Sequence, residues 1–138
     1  MRSVTLTIHG QPPRKSNSRR IVRNRSTGSP MSIKSKDALS YLESLAWQVR
    51  ADQRLALGDK THPLVVEGDI FYRTRFRADL SIELILDALQ KARVISDDRY
   101  VVAHAVTKRW DHENPRAVIR IEELDEWDWK GDFHAPLQ

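Results

Sequence analysis

Cysteine is absent from the 138-residue sequence, which excludes disulfides and every metal site built on thiolates. The five histidines are scattered along the chain, which argues against zinc, and we interpret His104 and His112 as structural or surface residues. The sequence also lacks a glycine-rich phosphate loop, a His-Glu-x-x-His motif, a nucleophile elbow and a dinucleotide-binding fingerprint. Carboxylates are therefore the remaining candidates for chemistry.

Long apolar runs are also missing. No segment approaches the length of a membrane span. Residues 3–9 alternate between apolar and polar types instead of forming the continuous apolar stretch of a signal peptide, so we expect a cytoplasmic protein. With 40% apolar and 30% charged residues, the chain is predicted to fold as a single globular domain over residues 1–138.

Acids are absent from the first 30 residues, although the net charge of the whole chain is only +4. Six basic residues fall within positions 14–25: Arg14, Lys15, Arg19, Arg20, Arg23 and Arg25. A basic arm of this kind suits a nucleic acid because each neutralised phosphate releases counterions. We predict that all six bind DNA; the alternative is an ordinary solvated loop. The opposite end, residues 125–138, is predicted to be an acidic tail that contains Trp127 and Trp129.

The first half of the chain is predicted to contain one strand, one long loop and one helix. Alternating apolar residues indicate a strand over residues 3–9. Residues 14–30 have no periodicity and predict a long, exposed and flexible basic loop. Leucines at helical spacing indicate a helix from about residue 36 to about residue 55.

The second half is predicted to be a strand, a helix and a hairpin. The strand covers residues 64–74, and Gly68 within it suggests a bulge. The helix, about residues 80–93, is apolar on nearly all sides and should be deeply buried. Residues 101–110 and 117–124 alternate and are predicted to pair as a hairpin. This order predicts an α+β domain: a mixed or antiparallel sheet of about four strands with two main helices on one face.

Charged residues concentrate around the second predicted helix. Arg73, Arg75 and Arg77 precede it, and their alternation would place positive charge on one side of an extended segment. We predict that Arg75 and Arg77 contact DNA. After the helix comes an acidic pair, Asp97-Asp98.

Carboxylates lie at both ends of this helix and along it. Asp79 stands at its start, and Asp79, Glu83 and Asp87 follow one another at intervals of four residues, hence on one face. For Asp79 the alternative is a helix N-cap, and for Asp97-Asp98 it is an ordinary acidic turn. Hard oxygen ligands among arginines are what magnesium-assisted phosphodiester cleavage requires.

The spacing of these acids sets a geometric condition. A helix of about fourteen residues is about 21 Å long at 1.5 Å per residue. Its two ends therefore cannot form one site unless the Asp97-Asp98 loop folds back or a second subunit supplies it.

The stretch from residue 77 to residue 101 resembles the central motif of the RusA family of Holliday junction resolvases. In that family an Asp-x-Asp leads into a helix, an Asp-Ala-Leu lies within it, and an Asp-Asp follows it. Asp87-Ala88-Leu89 and Asp97-Asp98 stand at the expected separation. The similarity extends over about residues 3–124. It implies a homodimer that nicks four-way DNA junctions symmetrically with Mg²⁺, for which Mn²⁺ is a substitute. The family is typical of phages and prophages and acts in recombination and repair in the bacterial cytoplasm.

The sequence departs from the family pattern at two points. If Asp79 is the second acid of Asp-x-Asp, Arg77 occupies the first position; if it is the first acid, Ser81 occupies the second. Glu83 is the candidate for the missing carboxylate. A lysine that the family has a few residues further on is absent, and Arg75 or Arg77 is the candidate substitute, although arginine serves poorly where a proton must be released.

The resemblance assigns the catalytic role to four acids: Asp79, Asp97, Asp98 and Glu83. Three of these, Asp79, Asp98 and Glu83, are expected to hold the metal. Two other interpretations remain. The first is a DNA-binding module on the same fold that recognises branched DNA without cutting it. The second is an RNA-binding or assembly protein in which Trp127 and Trp129 are stacking or docking surfaces.

Overall fold

The computed structural model describes residues 2–14 and 19–131, and Lys15 and the end of the acidic tail lie outside these ranges. The elements follow in the order β1 (Ser3–His9), β2 (Arg19–Arg23), β3 (Pro30–Lys34), α1 (Lys36–Gln48), β4 (Leu64–Tyr72), α2 (Glu83–Lys91), β5 (Val101–Trp110) and β6 (Arg116–Glu123).

Four of the strands form a mixed sheet in the order β1-β6-β4-β5. β6 pairs antiparallel with both β1 and β4, whereas β5 pairs parallel with β4. The two helices lie against each other, and α1 also contacts β1. The predicted α+β domain with about four strands and two main helices is confirmed.

The core lies between the helices and one face of the sheet. Leu64, Val66 and Ile70 alternate along β4, and all three are fully buried. Leu45 of α1 and Leu89 of α2 are also fully buried and belong to the same cluster. This burial explains why the apolar periodicities of β4 and α2 are visible in the sequence.

The β4–α2–β5 unit is a parallel crossover, in which α2 returns the chain from the end of β4 to the start of β5. Leu64 pairs with Val101 at one end of the sheet, and Tyr72 pairs with Trp110 at the other. Residues that follow β4 and residues that precede β5 therefore lie at opposite ends of the sheet.

The predicted hairpin between the last two strands is wrong, because β4 lies between β5 and β6. The connection from residue 111 to residue 115 crosses the end of β4, where the Asp111 amide donates to the Tyr72 carbonyl at 2.9 Å. Alternation correctly predicts two strands here but carries no information about which strands are neighbours.

The bulge suggested at Gly68 is also absent. Gly68 pairs regularly with Val106 and with Ile119, and the one register shift between β4 and β5 falls at Leu64/Val65. A Cβ atom at residue 68 would lie 2.3 Å from the Val118 carbonyl oxygen. Glycine is present because the neighbouring backbone comes close.

Both helices are shorter than predicted. α1 ends at Gln48, because Val49 is extended, and a separate 3-10 turn covers Ala51–Gln53. α2 begins at Glu83 with Ile82 in the N-cap position. The N-cap alternative for Asp79 is therefore wrong, and Asp79 does not share a helix face with Glu83.

The predicted loop over residues 14–30 is partly a hairpin, since β2 and β3 pair antiparallel as a separate two-stranded sheet. The side chain of Asn24 accepts hydrogen bonds from the amides of Ser26 and Thr27 in the connecting turn. Gly28 has a positive φ of 72° there. Most residues of both strands are exposed, so no buried face produces the alternation by which a strand is normally found.

In the described part of the chain, no helix has the length and apolar character needed to cross a membrane.

Candidate active site and DNA-facing surface

Residues 73–78 connect β4 to the segment before α2 and contain three exposed arginines, Arg73, Arg75 and Arg77; we call them the arginine loop. The Arg73 amide donates to Gln11 Oε1 at 2.6 Å, and the Trp110 indole donates to the Arg73 carbonyl at 3.1 Å. The Arg75 guanidinium lies 4.4 Å from the centre of the Trp110 ring. The loop bends after Tyr72, so its arginines do not alternate along a strand as predicted.

Asp79 follows the arginine loop and is exposed. The Tyr72 hydroxyl donates to the Asp79 carbonyl at 3.3 Å, which fixes the backbone at this residue. Burial raises the pKa of Tyr72, and the negative charge of Asp79 acts in the same direction. Asp79 is therefore held near a buried, neutral phenol at the end of β4.

Lys108 of β5 is a basic residue at this site that the sequence analysis does not single out. Its ammonium group donates to the carbonyl of Ala78, the residue before Asp79, and lies 5.4 Å from the centre of the Tyr72 ring. Lys108 pairs with buried Ile70, so its side chain starts on the helix-covered face of the sheet. The signal in the sequence that could reveal it is a lysine at a core-facing position of an alternating strand.

Asp97 and Asp98 have different positions in the turn before β5. The Asp97 side chain accepts a hydrogen bond from the Arg99 amide at 3.0 Å and caps a 3-10 turn over Asp98–Tyr100. The Asp98 amide donates to Gln90 Oε1 at 3.0 Å, which fixes the turn to the last part of α2, while the residue itself is exposed. Asp97 thus has a structural role in the turn, and the Asp98 carboxylate faces solvent.

The chain does not bring Asp79 and Asp98 together. Lys108 of β5 is bonded to the carbonyl of Ala78, the residue before Asp79, whereas Asp98 lies just before Val101, the first residue of β5. Lys108 and Val101 are about 23 Å apart at roughly 3.3 Å per residue. Magnesium binds its oxygen ligands at about 2 Å. Among residues 2–14 and 19–131, no group of three or more acids or histidines is arranged to hold a metal ion.

The two acids of α2 differ in their surroundings. Glu83 is the first residue of the helix and is exposed. Asp87 forms ion pairs with Lys34 at 3.2 Å and with Lys91 at 3.9 Å. Because Lys34 belongs to β3, Asp87 links α2 to the β2–β3 hairpin.

The β2–β3 hairpin, which lies beside α2, presents arginines to solvent. Arg20, Arg23 and Arg25 are exposed, and so is Arg14 before the hairpin. Arg19 differs, because its guanidinium donates to the Ser32 side chain and carbonyl, both at 2.8 Å. Arg19 therefore stabilises the hairpin in addition to contributing charge.

A second polar cluster lies on the opposite face of the sheet. Asp69 accepts hydrogen bonds from Thr107 and from Arg109, and these contacts lower the pKa of its carboxyl group. Since the carboxylate is already paired, we assign this cluster no ligand.

The two tail tryptophans, Trp127 and Trp129, are 38% and 75% exposed.

A protein-family model described as endodeoxyribonuclease RusA matches residues 10–122. The match covers the arginine loop, the β2–β3 hairpin and all four candidate acids: Asp79, Glu83, Asp97 and Asp98. No curated protein matches the sequence.

Proposed function

The chain belongs to the RusA family of endodeoxyribonucleases, and we propose on this basis that it resolves four-way DNA junctions by paired, symmetric nicks that depend on magnesium. The family acts on branched DNA. The observation that supports a cutting function most strongly is the position of Asp79, an exposed acid that directly follows the arginine loop and the Ala78 carbonyl to which Lys108 is bonded. A carboxylate near several positive charges suits a phosphate that approaches together with a cation.

Asp79 and Asp98 are proposed as the metal-holding acids, with Glu83 in place of the carboxylate missing from Asp-x-Asp. All three are exposed, and carboxylate oxygens are the ligands that magnesium prefers. A bound magnesium ion would neutralise the scissile phosphate and help to activate water. The residues fit this ion by their chemistry, although one chain alone does not place them around it.

A homodimer would bring Asp79 and Asp98 together. A two-fold axis that sets Asp79 of one protomer against Asp98 of the partner subunit would produce two equivalent sites. Two symmetric cuts in one junction require two such sites. We therefore propose that each site is shared between protomers.

Lys108 is proposed as the basic residue of the site. Its ammonium group already points to the backbone next to Asp79, whereas Arg75 is stacked on Trp110. Lysine also gives up a proton far more readily than arginine, so it is better suited to assist a leaving oxygen.

The alternative is a branched-DNA-binding module that does not cut. It is favoured by the departure at Arg77 or Ser81, which leaves the Asp-x-Asp motif one carboxylate short. Both functions require junction binding, and only the first requires hydrolysis.

The deciding experiment is a nicking assay on a synthetic four-way junction, with magnesium, with manganese and with a chelator. We expect symmetric nicks with either metal and none with the chelator, and no cutting of a linear duplex of the same sequence. Tight junction binding without any nick in either metal would establish the non-cutting alternative.

A further inference from the structure

Phe76 lies within the arginine loop and is 91% exposed, more than any other large apolar residue described. Its neighbours Arg75 and Arg77 are both exposed and basic. Single exposed apolar residues are common on proteins. The position of Phe76, three residues before Asp79, is what makes it significant.

The arginine loop is fixed at both ends. At its start, Arg73 is bonded to Gln11 and to Trp110. At its end, Ala78 is buried and its carbonyl accepts a hydrogen bond from Lys108. Phe76 is therefore held out from the surface by an anchored loop.

The surroundings of Phe76 select a nucleic acid as the ligand. Residues 73–78 carry three positive charges and no acid, which suits phosphates on either side of a bound base. An aromatic ring among cations is the usual arrangement for stacking on a base that has left a regular duplex. Branched DNA, on which the family acts, offers such bases at the branch point.

We propose that Phe76 stacks on a base at the branch point and thereby sets which phosphate lies beside Asp79. This inference rests on the proposed function for the role of Asp79, but the stacking itself requires no cutting. Three residues span at most about 10 Å, and successive nucleotides of one strand are at least about 3.4 Å apart, which is the rise along the axis of a stacked helix. The stacked base therefore lies within about three nucleotides of the phosphate that is cut.

The test compares binding of a four-way junction with binding of a linear duplex, both in a chelator so that nothing is cut. Phe76→Ala should weaken junction binding roughly 5- to 150-fold, the range expected for one stacked base, and leave duplex binding and its salt dependence unchanged. Phe76→Trp should retain junction binding. Trp47→Ala is the matched control, because Trp47 is 82% exposed on α1, and it should change neither affinity.

A second measurement reports stacking directly. A 2-aminopurine placed at the branch point should change its fluorescence when the wild-type protein or Phe76→Trp binds, and should not change with saturating Phe76→Ala. Equal affinities of Phe76→Ala and wild type for the junction would overturn the proposal, as would an equal loss on junction and duplex. A protein that passes both tests but never cuts would contradict the proposed nuclease and leave this inference intact.

Discussion

The two ends of the β4–α2–β5 unit surround their acids differently. At the end of β4, Asp79 directly follows the arginine loop, whose last residue, Ala78, accepts a hydrogen bond from Lys108. At the start of β5, Asp97 is occupied with capping its turn, and the Asp98 backbone is fixed by Gln90. The first end is rich in positive charge, whereas the second presents an exposed carboxylate on a hydrogen-bonded turn.

This difference agrees with the proposal that the two ends are complementary parts of one site shared between protomers. The cationic end lacks enough acids to hold a metal, since Arg77 or Ser81 stands where the family has a second aspartate. At the acidic end, Arg99 is already paired with Asp97. If two protomers join the two ends, each supplies what the other lacks.

The largest effect is expected from neutralising one acid at either end. Asp79→Asn and Asp98→Asn should each reduce junction nicking by several orders of magnitude, because a metal-holding carboxylate is removed. Junction binding should be unchanged or stronger, since a negative charge facing phosphate is removed. Nicking rates and affinities measured on one junction check both statements.

Asp52→Asn is the matched control for these variants. Asp52 is an exposed acid in the turn after α1 whose ion pair is with Arg50, and its replacement should leave nicking unchanged. Full nicking by both Asp79→Asn and Asp98→Asn would contradict the proposed mechanism, because cutting would then depend on other residues.

The second prediction tests whether the two ends meet across protomers. Asp79→Asn and Asp98→Asn, each inactive alone, should regain nicking when coexpressed with different tags and purified as mixed dimers. In a shared arrangement a mixed dimer contains one site with both substitutions and one intact site. Purified mixed dimers should therefore contain half as many intact sites as the wild type, and an unfractionated random mixture about a quarter.

The mixed dimers should nick one strand without the paired second cut. If both single variants are inactive and the mixed dimers are inactive as well, each site is built within one chain. That outcome leaves the nuclease function in place and removes the shared site.

The third prediction concerns the basic group beside Asp79. Lys108→Met keeps the apolar stem but removes the ammonium, and should lower the nicking rate by about 10²-fold, a typical contribution of a proton-transferring group. Lys108→Arg should restore charge but only part of the rate, because arginine retains its proton. Lys60→Met, at an exposed turn before β4, is the control. A wild-type rate in Lys108→Met would restrict Lys108 to holding the Ala78 carbonyl.

Strands and helices that bury one face are predictable from the sequence, but which strands pair with each other is not. The alternation of Leu64, Val66 and Ile70 correctly indicates β4, because one side of the strand is fully buried. That β4 separates β5 from β6 depends on contacts between distant segments. Similarly, α2 is visible in its apolar spacing but its exact start is not, so the sequence pattern wrongly puts Asp79 at the start of the helix.

Site residues that belong to a sequence motif are predictable, whereas residues that only the fold brings to the site are not. The acids Asp79 and Asp98 stand out in sequence because they flank α2 and match a family pattern. Lys108 lies 29 residues from Asp79 and reaches the neighbouring Ala78 carbonyl only because β5 returns parallel to β4. The β2–β3 hairpin is invisible in the sequence pattern since its strands bury no face.

The fourth prediction separates the charge of this hairpin from its structure. Arg20→Ala and Arg23→Ala should weaken binding of all junction sequences alike and reduce the salt slope by about one unit for each phosphate that is no longer neutralised. Arg19→Ala should do the same and also loosen the hairpin, because Arg19 is bonded to Ser32. Faster amide exchange in residues 19–34 would report that loosening. An unchanged affinity and salt slope in all three variants would reduce the hairpin to a solvated surface.

The last prediction concerns an acid that serves folding rather than chemistry. Glu123 ends β6 at the same end of the sheet as Asp98, is 5% exposed, and binds Arg2 and the Gly58 amide through its carboxylate. The hydrogen bond from Arg2 is the main reason that the pKa of Glu123 is lowered from 4.5.

A carboxyl group whose pKa is lowered by folding stabilises the folded chain above its unfolded pKa, and this stabilisation disappears as the pH falls through the folded value. Glu123→Gln should therefore lower the free energy of unfolding at neutral pH by about 1.5–3 kcal/mol, the range for hydrogen bonds to charged groups. The difference should shrink as the pH falls from 4.5, where the unfolded chain takes up the proton, and should disappear below the lowered pKa of the folded carboxyl group. Chemical denaturation at pH 7 and pH 3 measures both. Nicking by the folded variant should equal that of the wild type, whereas Asp98→Asn should keep its stability and lose nicking. A loss of nicking in folded Glu123→Gln would make this acid part of the site.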